Sequence, residues 1–310
     1  GFLRNLYLGT FRCCLRQEND ALRAVMDETP QRRSIDIDAY APPEIASRIE
    51  TAGVKKAHLP VLQTMVLAVL AGAFIAFGGM FYTLVVTDSG MGFGPQRLLG
   101  GIAFSLGLIL VVIAGAELFT GNNLIVMAWA ENKISTHQLM RNWLLVYIGN
   151  FVGAMATALI VYWSGILSLG DGALGETAKA IAHGKVQLPF MEAFLRGVLC
   201  NTLVCLAVWL CFAAHTVTGK ILAIIFPVSA FVALGFEHSV ANMYLIPIGY
   251  LASVGDSSAT GLMSYFTATN GITLSGFIGN LVPVTLGNIV GGSVFVALVY
   301  WIVYLRDTDS

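Results

Sequence analysis

The chain has 310 residues, 56% of them hydrophobic and 11% charged, with a formal net charge of −1. Soluble domains carry about 25% charged residues, so this composition indicates a membrane protein and excludes an ordinary soluble globular domain. The charge balance also lacks the basic footprint of a nucleic-acid binder, and no nucleic-acid partner is expected.

The first residue is Gly1 and the first methionine Met26; residues 1–25 are expected to lie outside the functional protein. No secretory signal pattern opens the chain. From Met26 the sequence reads as a polar cytosolic leader, and residues 26–56 are expected to fold under the cytoplasmic mouth as a mobile plug. The domain reading is a cytoplasmic segment over 1–60, a membrane domain over 61–306 and a cytoplasmic tail over 307–310.

Six apolar segments follow, at 63–86, 98–130, 143–165, 193–214, 220–254 and 277–305. A helix needs about 20 residues to cross about 30 Å of hydrocarbon, so the first, third, fourth and sixth each fit one span. The second and fifth are too long for one simple span and too short for two with a turn. Each reads as two half-helices joined by non-helical backbone, with Gly121 in the first break and Gly235 in the second. The fold class is therefore an all-α membrane protein of six transmembrane helices. Between segments, 87–95 is a Gly-rich turn and 169–189 a longer polar loop. Residues 255–271 form an external segment with a short surface helix.

The second and fifth segments share a pattern. Glu117 precedes Asn122 in AELFTGN, and Glu237 precedes Asn242 in FEHSVAN, each pair five residues apart. Downstream lie Gly149-Asn150-Phe-Val-Gly153 and Gly287-Asn288-Ile-Val-Gly291. A carboxylate at the centre of a span costs about 2.5–3.5 kcal/mol on insertion scales, so its double occurrence points to duplication around a polar site. The repeats cover 61–165 and 190–306. Three spans per repeat force the second copy to run upside down, giving an aquaporin-like inverted repeat whose two breaks meet near mid-membrane. Lys and Arg placement, with Arg48, Lys55, Lys56, Lys133, Arg141, Lys220 and Arg306 on one side, puts both termini in the cytoplasm.

Three roles are open for Glu117 and Glu237. They can clamp the freed backbone N–H groups of their own breaks with Asn122 and Asn242 as companion donors, handle substrate or protons, or ligate a metal. Metal binding is the weakest, since HExxH spacing and further carboxylates are missing, and neither metal nor cofactor is expected. The five cysteines (Cys13, Cys14, Cys200, Cys205, Cys211) show no metal spacing and read as packing residues. His238 is a base within an apolar span, placed at a break. A buried histidine is usually a satisfied core residue, but this location favours proton handling or attraction of a small anion. Thr120 offers a hydroxyl at the first break and Asn201 an amide, giving a donor-rich site. Phe104, Leu108, Leu118, Phe119 and Phe231 are candidates for constrictions flanking it. Gly100, Gly101, Gly107, Gly115, Gly153, Gly291 and Gly292 read as helix-contact positions.

Five stretches, GGIAFSLGLILVVIAGAELFTGN, NWLLVYIGNFVGA, LCNTLVCLAVW, GFEHSVANM and NLVPVTLGNIVGG, resemble the formate–nitrite transporter family in its own order, most closely its bacterial formate channels. The resemblance covers about residues 42–306. It implies a homopentamer in the bacterial inner membrane, each protomer with its own pore for small monovalent anions. It also implies that Thr120, His238 and Asn201 line the pore, that Phe104, Leu108, Leu118, Phe119 and Phe231 constrict it, and that Lys56 marks its cytoplasmic mouth. Gly121-Asn122 after Thr120 departs from the small hydroxyl residues of typical formate channels and is nitrite-type. The GFEHS stretch and the ending YWIVYLRD are formate-type. Formate transport is the leading expectation, passive or proton-coupled, with nitrite, hydrosulfide, acetate or lactate as alternatives. A water or neutral-solute channel is remote, because the Asn-Pro-Ala pair is missing. An intramembrane enzyme is remoter still, lacking a nucleophile–base pair.

Overall fold

Pro42 and Pro43 open the first helix of the computed structural model, which describes residues 39–255 and 271–306. Proline at the first helical positions forfeits no hydrogen bond, so it starts α1 (Pro42–Ala57) without strain. The buried face of α1 includes Ile45, Ala46, Ile49, Gly53 and Ala57. Next come α2 (Val61–Val86) and α3 (Phe93–Ala114), both long and apolar.

Helix α3 stops at Gly115, whose φ of +81° lies in the left-handed region that glycine enters without a Cβ penalty. Helical geometry resumes as a 3₁₀ turn at Gly121–Ile125 and continues into α4 (Val126–Ala130). A capping box between Ser135 and Gln138 starts α5 (Thr136–Trp163). After α6 (Ala173–Val186) and α7 (Phe190–Ala213), α8 (Val217–Ala233) is followed by a second left-handed glycine, Gly235, at φ +72°. Helix α9 (Ser239–Gly255) follows. The last stretch runs from α10 (Leu274–Ile289) through a π-helix (Val290–Leu298) into α11 (Val299–Tyr304).

Three sequence expectations change. The polar stretch 169–189 contains α6 rather than only a loop, because Leu174, Gly175, Ala178 and Ala182 give it a small apolar face that α9 covers. The break glycine of the first repeat is Gly115, not Gly121. Gly121 has ordinary φ and begins a helical turn, while nothing lies within 4 Å of a Cβ built on Gly115, so Gly115 is not a helix-contact position either. The surface helix expected in 255–271 falls almost wholly outside the described residues, as does the 26–38 portion of the plug.

Helix α2 packs on α3 and α5, and in the second repeat α7 packs on α8 and α10; α3 meets α8 across the two. Glycines bring the backbones together. A Cβ at Gly153 would overlap the Val69 carbonyl and one at Gly72 the Asn150 carbonyl. At Gly291 and Gly287 the obstacles are the Val198 and Phe194 carbonyls. The interior is unusually polar, burying Glu117, Glu237, Asn142, Asn150, Asn280 and Asn288. Outward-facing side chains are large and apolar: Leu62, Phe93, Trp163, Phe226 and Leu274 are each more than 70% exposed. Among the described residues, five helical stretches are long and apolar enough to cross a membrane: Val61–Val86, Phe93–Ala114, Thr136–Trp163, Phe190–Ala213 and Leu274–Tyr304. Gly153→Ala and Gly291→Ala are each expected to cost about 1–3 kcal/mol through overpacking. Thermal unfolding of the purified variants in detergent checks this.

Candidate functional site

Both interruptions are built alike. In the first repeat the Lys56 Nζ donates to Glu117 Oε1 at 2.7 Å and to Asn122 Oδ1 at 2.9 Å. Asn122 Nδ2 donates to Glu117 Oε2 at 2.7 Å and to Asn142 Oδ1 at 3.0 Å. Asn142 Nδ2 closes the set on the Lys56 carbonyl at 3.2 Å. In the second repeat Lys185 Nζ donates to Glu237 Oε1 at 2.9 Å, and Asn242 Nδ2 to Glu237 Oε2 at 2.6 Å and Asn280 Oδ1 at 2.7 Å. Asn280 Nδ2 returns to the Lys185 carbonyl at 2.9 Å. The sets differ in two details: Asn242 Oδ1 is buried without a partner, since Lys185 reaches only the carboxylate, and Asn280 Nδ2 also approaches Glu237 Oε2 at 3.4 Å.

The freed backbone groups are met by two other asparagines. Asn150 Oδ1 accepts from Phe119 N at 2.9 Å, while its Nδ2 donates to the Ala68 and Glu117 carbonyls. Asn288 Oδ1 accepts from Ser239 N at 2.8 Å, and its Nδ2 donates to the Gly197 and Glu237 carbonyls. The side chains of Glu117 and Glu237 therefore bond side chains, and the backbone clamp expected of them belongs to Asn150 and Asn288. Sequence reasoning saw both asparagines in the GNxVG strings but gave them no role, and it missed Asn142, Asn280 and Lys185 as members. A signal existed: Asn142 precedes Asn150 by the same eight residues that separate Asn280 from Asn288.

Two vestibules open beside these sets. One, of about 300 Å³, is lined by Lys56, Glu117, Leu118, Leu108 and Lys220, with Ile49, Ala52 and Gly53 of α1. The other, of about 290 Å³, is lined by Lys185, Glu237, His238, Phe104 and Phe231, with Arg97 and Arg196. Arg97 donates through Nε to the Ala233 carbonyl at 2.9 Å, placing a cation at the C-terminal end of α8, where the helix dipole favours it. Leu118 and Gly121, on either side of Thr120, line the first vestibule, and His238 lines the second. The 2.9 Å contact of Thr120 Oγ1 with His238 Nε2 joins the two chain segments that line them.

The tautomer of His238 follows from its neighbours. The Ala241 N–H donates to Nδ1 at 3.1 Å, so the neutral ring carries its hydrogen on Nε2 and donates it to Thr120 Oγ1. The Thr120 hydroxyl hydrogen is then free for another acceptor. A doubly protonated ring would set Nδ1–H against the Ala241 N–H.

The constriction candidates divide. Phe104 and Phe231 meet edge to face with centroids 5.9 Å apart, and Phe231 stacks on the His238 ring at 6.0 Å. Leu108 and Leu118 face the first vestibule. Phe119 lines neither vestibule; its ring packs on Tyr147 at 4.9 Å and Trp143 at 6.1 Å. Asn201 is completely buried, with Nδ2 facing the Asn288 carbonyl at 2.7 Å, the Thr120 carbonyl at 3.2 Å and Asn123 Oδ1 at 3.3 Å. Its amide hydrogens are therefore engaged and do not add to the donor set.

Five long apolar helices, an apolar exterior and two matched polar sets buried among them indicate a multi-pass membrane protein. The Formate/nitrite transporter family model matches residues 43–302, and the chain belongs to that family. It is 44% identical over 283 residues to the formate channel FocA of Escherichia coli (strain K12), covering 88% of this chain and 97% of that one. It is 40% identical to a probable formate transporter of Methanothermobacter thermautotrophicus, over 86% and 98% of the two chains. Among solved structures, a pentameric formate channel with formate bound superposes with a TM-score of 0.72 at 43% identity, covering 79% of this chain and 98% of that one. These relatives are channels and transporters rather than enzymes.

The two lysines differ in exposure: the Lys56 side chain is 32% exposed and Lys185 15%, each opposite a carboxylate under 10%. Removing one partner of a buried pair strands the other charge, at about 3–5 kcal/mol. Lys185→Met is expected to approach that cost and Lys56→Met to fall short of it, because water reaches Glu117 more easily. Unfolding temperatures of the two variants measured side by side check the order.

Proposed function

We propose that this protein conducts formate across the bacterial inner membrane in both directions, and that the observation carrying the reading is the Thr120–His238 contact between two cation-bearing vestibules. Formate has an acidity comparable to an α-carboxyl group, about 3.5, so it reaches either mouth as an anion. Lys56 and Lys220 on one side, and Arg97, Lys185 and Arg196 on the other, favour its entry. Beyond them, Leu108 and Leu118, then Phe104 and Phe231, strip its water. A bare charge among these side chains is costly. Thr120 meets the ion with a free O–H, held in register by His238 Nε2. The ion's own charge then favours a second proton on His238, taken from the solution on the side of entry, over the Ala241 contact. What crosses the apolar gap is a neutral pair, or a neutral acid when the Nε2 proton passes through the Thr120 hydroxyl to the ion and leaves His238 neutral.

The wider reading has six spans, the second and fifth being broken helices at 115–120 and 234–238, with both termini cytoplasmic and the Lys56 vestibule opening inward. Residues 61–306 form the channel domain and 1–60 the cytoplasmic segment. Five protomers assemble, a reading supported by the similarity to the pentameric formate channel, and each holds its own pore. Glu117, Asn122, Glu237 and Asn242 shape the breaks. Nitrite is the second reading, favoured by Gly121-Asn122 after Thr120.

Proteoliposomes containing the protein are expected to pass formate in both directions, with uptake rising as the outer solution is acidified. His238→Ala should assemble normally and flatten that pH dependence; an unchanged profile in the variant would remove the proton role. Flux of nitrite above that of formate would replace the substrate.

A further inference from the structure

Three of the cations that line the vestibules are already paired. Beside His238, Lys185 Nζ lies 2.9 Å from Glu237 Oε1 and Arg196 Nη2 lies 3.3 Å from Glu192 Oε2. In the other vestibule Lys56 Nζ lies 2.7 Å from Glu117 Oε1. An arriving anion meets each of these pairs as a dipole, because repulsion by the carboxylate offsets most of the attraction by its partner.

Each vestibule also has one lining cation of a different kind. Among the described residues, neither Arg97 nor Lys220 has a carboxylate partner. Arg97 donates through Nε to the Ala233 carbonyl at 2.9 Å and through Nη2 to the Val232 carbonyl at 3.3 Å. Those carbonyls hold the guanidinium at the vestibule wall without cancelling its charge, and they occupy two of its five N–H groups. Gly235 leaves room for it, since a Cβ there would lie 2.8 Å from Nη2. Lys220 stands in the first turn of α8, where the helix dipole disfavours a cation, so its charge does not serve the helix. The two unpaired cations thus sit at opposite ends of α8, one in each vestibule.

We propose that Arg97 and Lys220, rather than the lysines of the two sets, draw the anion into the vestibules, one from each side of the membrane. The paired lysines brace the breaks. The inference rests on the formate reading and deepens it by naming the charges that act.

The test measures formate flux at low ionic strength in right-side-out and inverted membrane vesicles containing the full chain. With the Lys56 vestibule facing inward, Arg97→Gln is expected to raise the half-saturating formate concentration about fivefold in right-side-out vesicles alone. Lys220→Gln should do the same in inverted vesicles alone. Fivefold is the worth of one charge about 4 Å from the ion in water. The rise of half-saturation with added salt should disappear along with each charge. Arg97→Gln also removes a helix cap, and Glu192→Gln separates the two effects. That change lies on an exposed side chain and leaves Arg196 unpaired in the same vestibule. Alone it should lower half-saturation in right-side-out vesicles, and combined with Arg97→Gln it should recover at least half of the loss. Shifts of equal size in both orientations, wild-type salt dependence in the variants, or no effect of Glu192→Gln would each overturn the proposal. Wild-type vesicles that pass no formate in either orientation would instead remove the transport reading itself.

Discussion

A helix interrupted among apolar side chains leaves N–H and C=O groups that water does not reach, and each one left unpaired costs several kcal/mol. Asn150 and Asn288 meet this constraint, each accepting from one N–H and donating to two carbonyls. The position of Thr120 and His238 depends on those two carboxamides, because they fix the backbone on which both site residues ride. The Lys–Glu–Asn–Asn sets then brace the breaks from outside, tying α1 to the first through Lys56 and α6 to the second through Lys185. Every member but Asn242 finds partners for its polar atoms, the condition under which a buried network rigidifies.

The scaffold obeys the repeat and the site breaks it. Lysine, glutamate, both set asparagines and the capping asparagine recur in matched hydrogen bonds, as do the left-handed glycines Gly115 and Gly235. Thr120 and His238 have apolar counterparts, Val240 and Leu118, at the matching places of the other repeat. A perfectly symmetric centre would offer identical groups from both sides; this one sets a hydroxyl against an imidazole, and so provides a donor whose direction is defined. Glycine contacts between α2 and α5, and between α7 and α10, hold the outer helices close enough for the asparagines to reach.

In the proposed reading the vestibules connect this geometry to transport: the lysines and arginines lining them favour anions, whereas the leucines and phenylalanines penalise charge, and the Thr120–His238 pair answers that conflict. Phe119, despite lying between Leu118 and Thr120, belongs to the wall, packed on Trp143 and Tyr147.

Much of this was written in the chain. Apolar run lengths located the five long apolar helices, the doubled Glu-x4-Asn spacing pointed to the two matched hydrogen-bonded sets, and the residues flanking it singled out Thr120 and His238, which meet at 2.9 Å; spacing and hydropathy are local quantities. Helix α6 was hidden since its apolar face is made of alanine and glycine, too weak a periodicity against Lys, Glu and His. What only the tertiary structure decided were pairings across long separations: Lys185 with Glu237, Asn142 with Asn122, Asn201 with Asn123 and Asn288. A sequence shows that an asparagine is present. Which of its hydrogens are already taken depends on backbones brought together from distant parts of the chain, and that accounting leaves the Asn201 amide hydrogens engaged inside the protein.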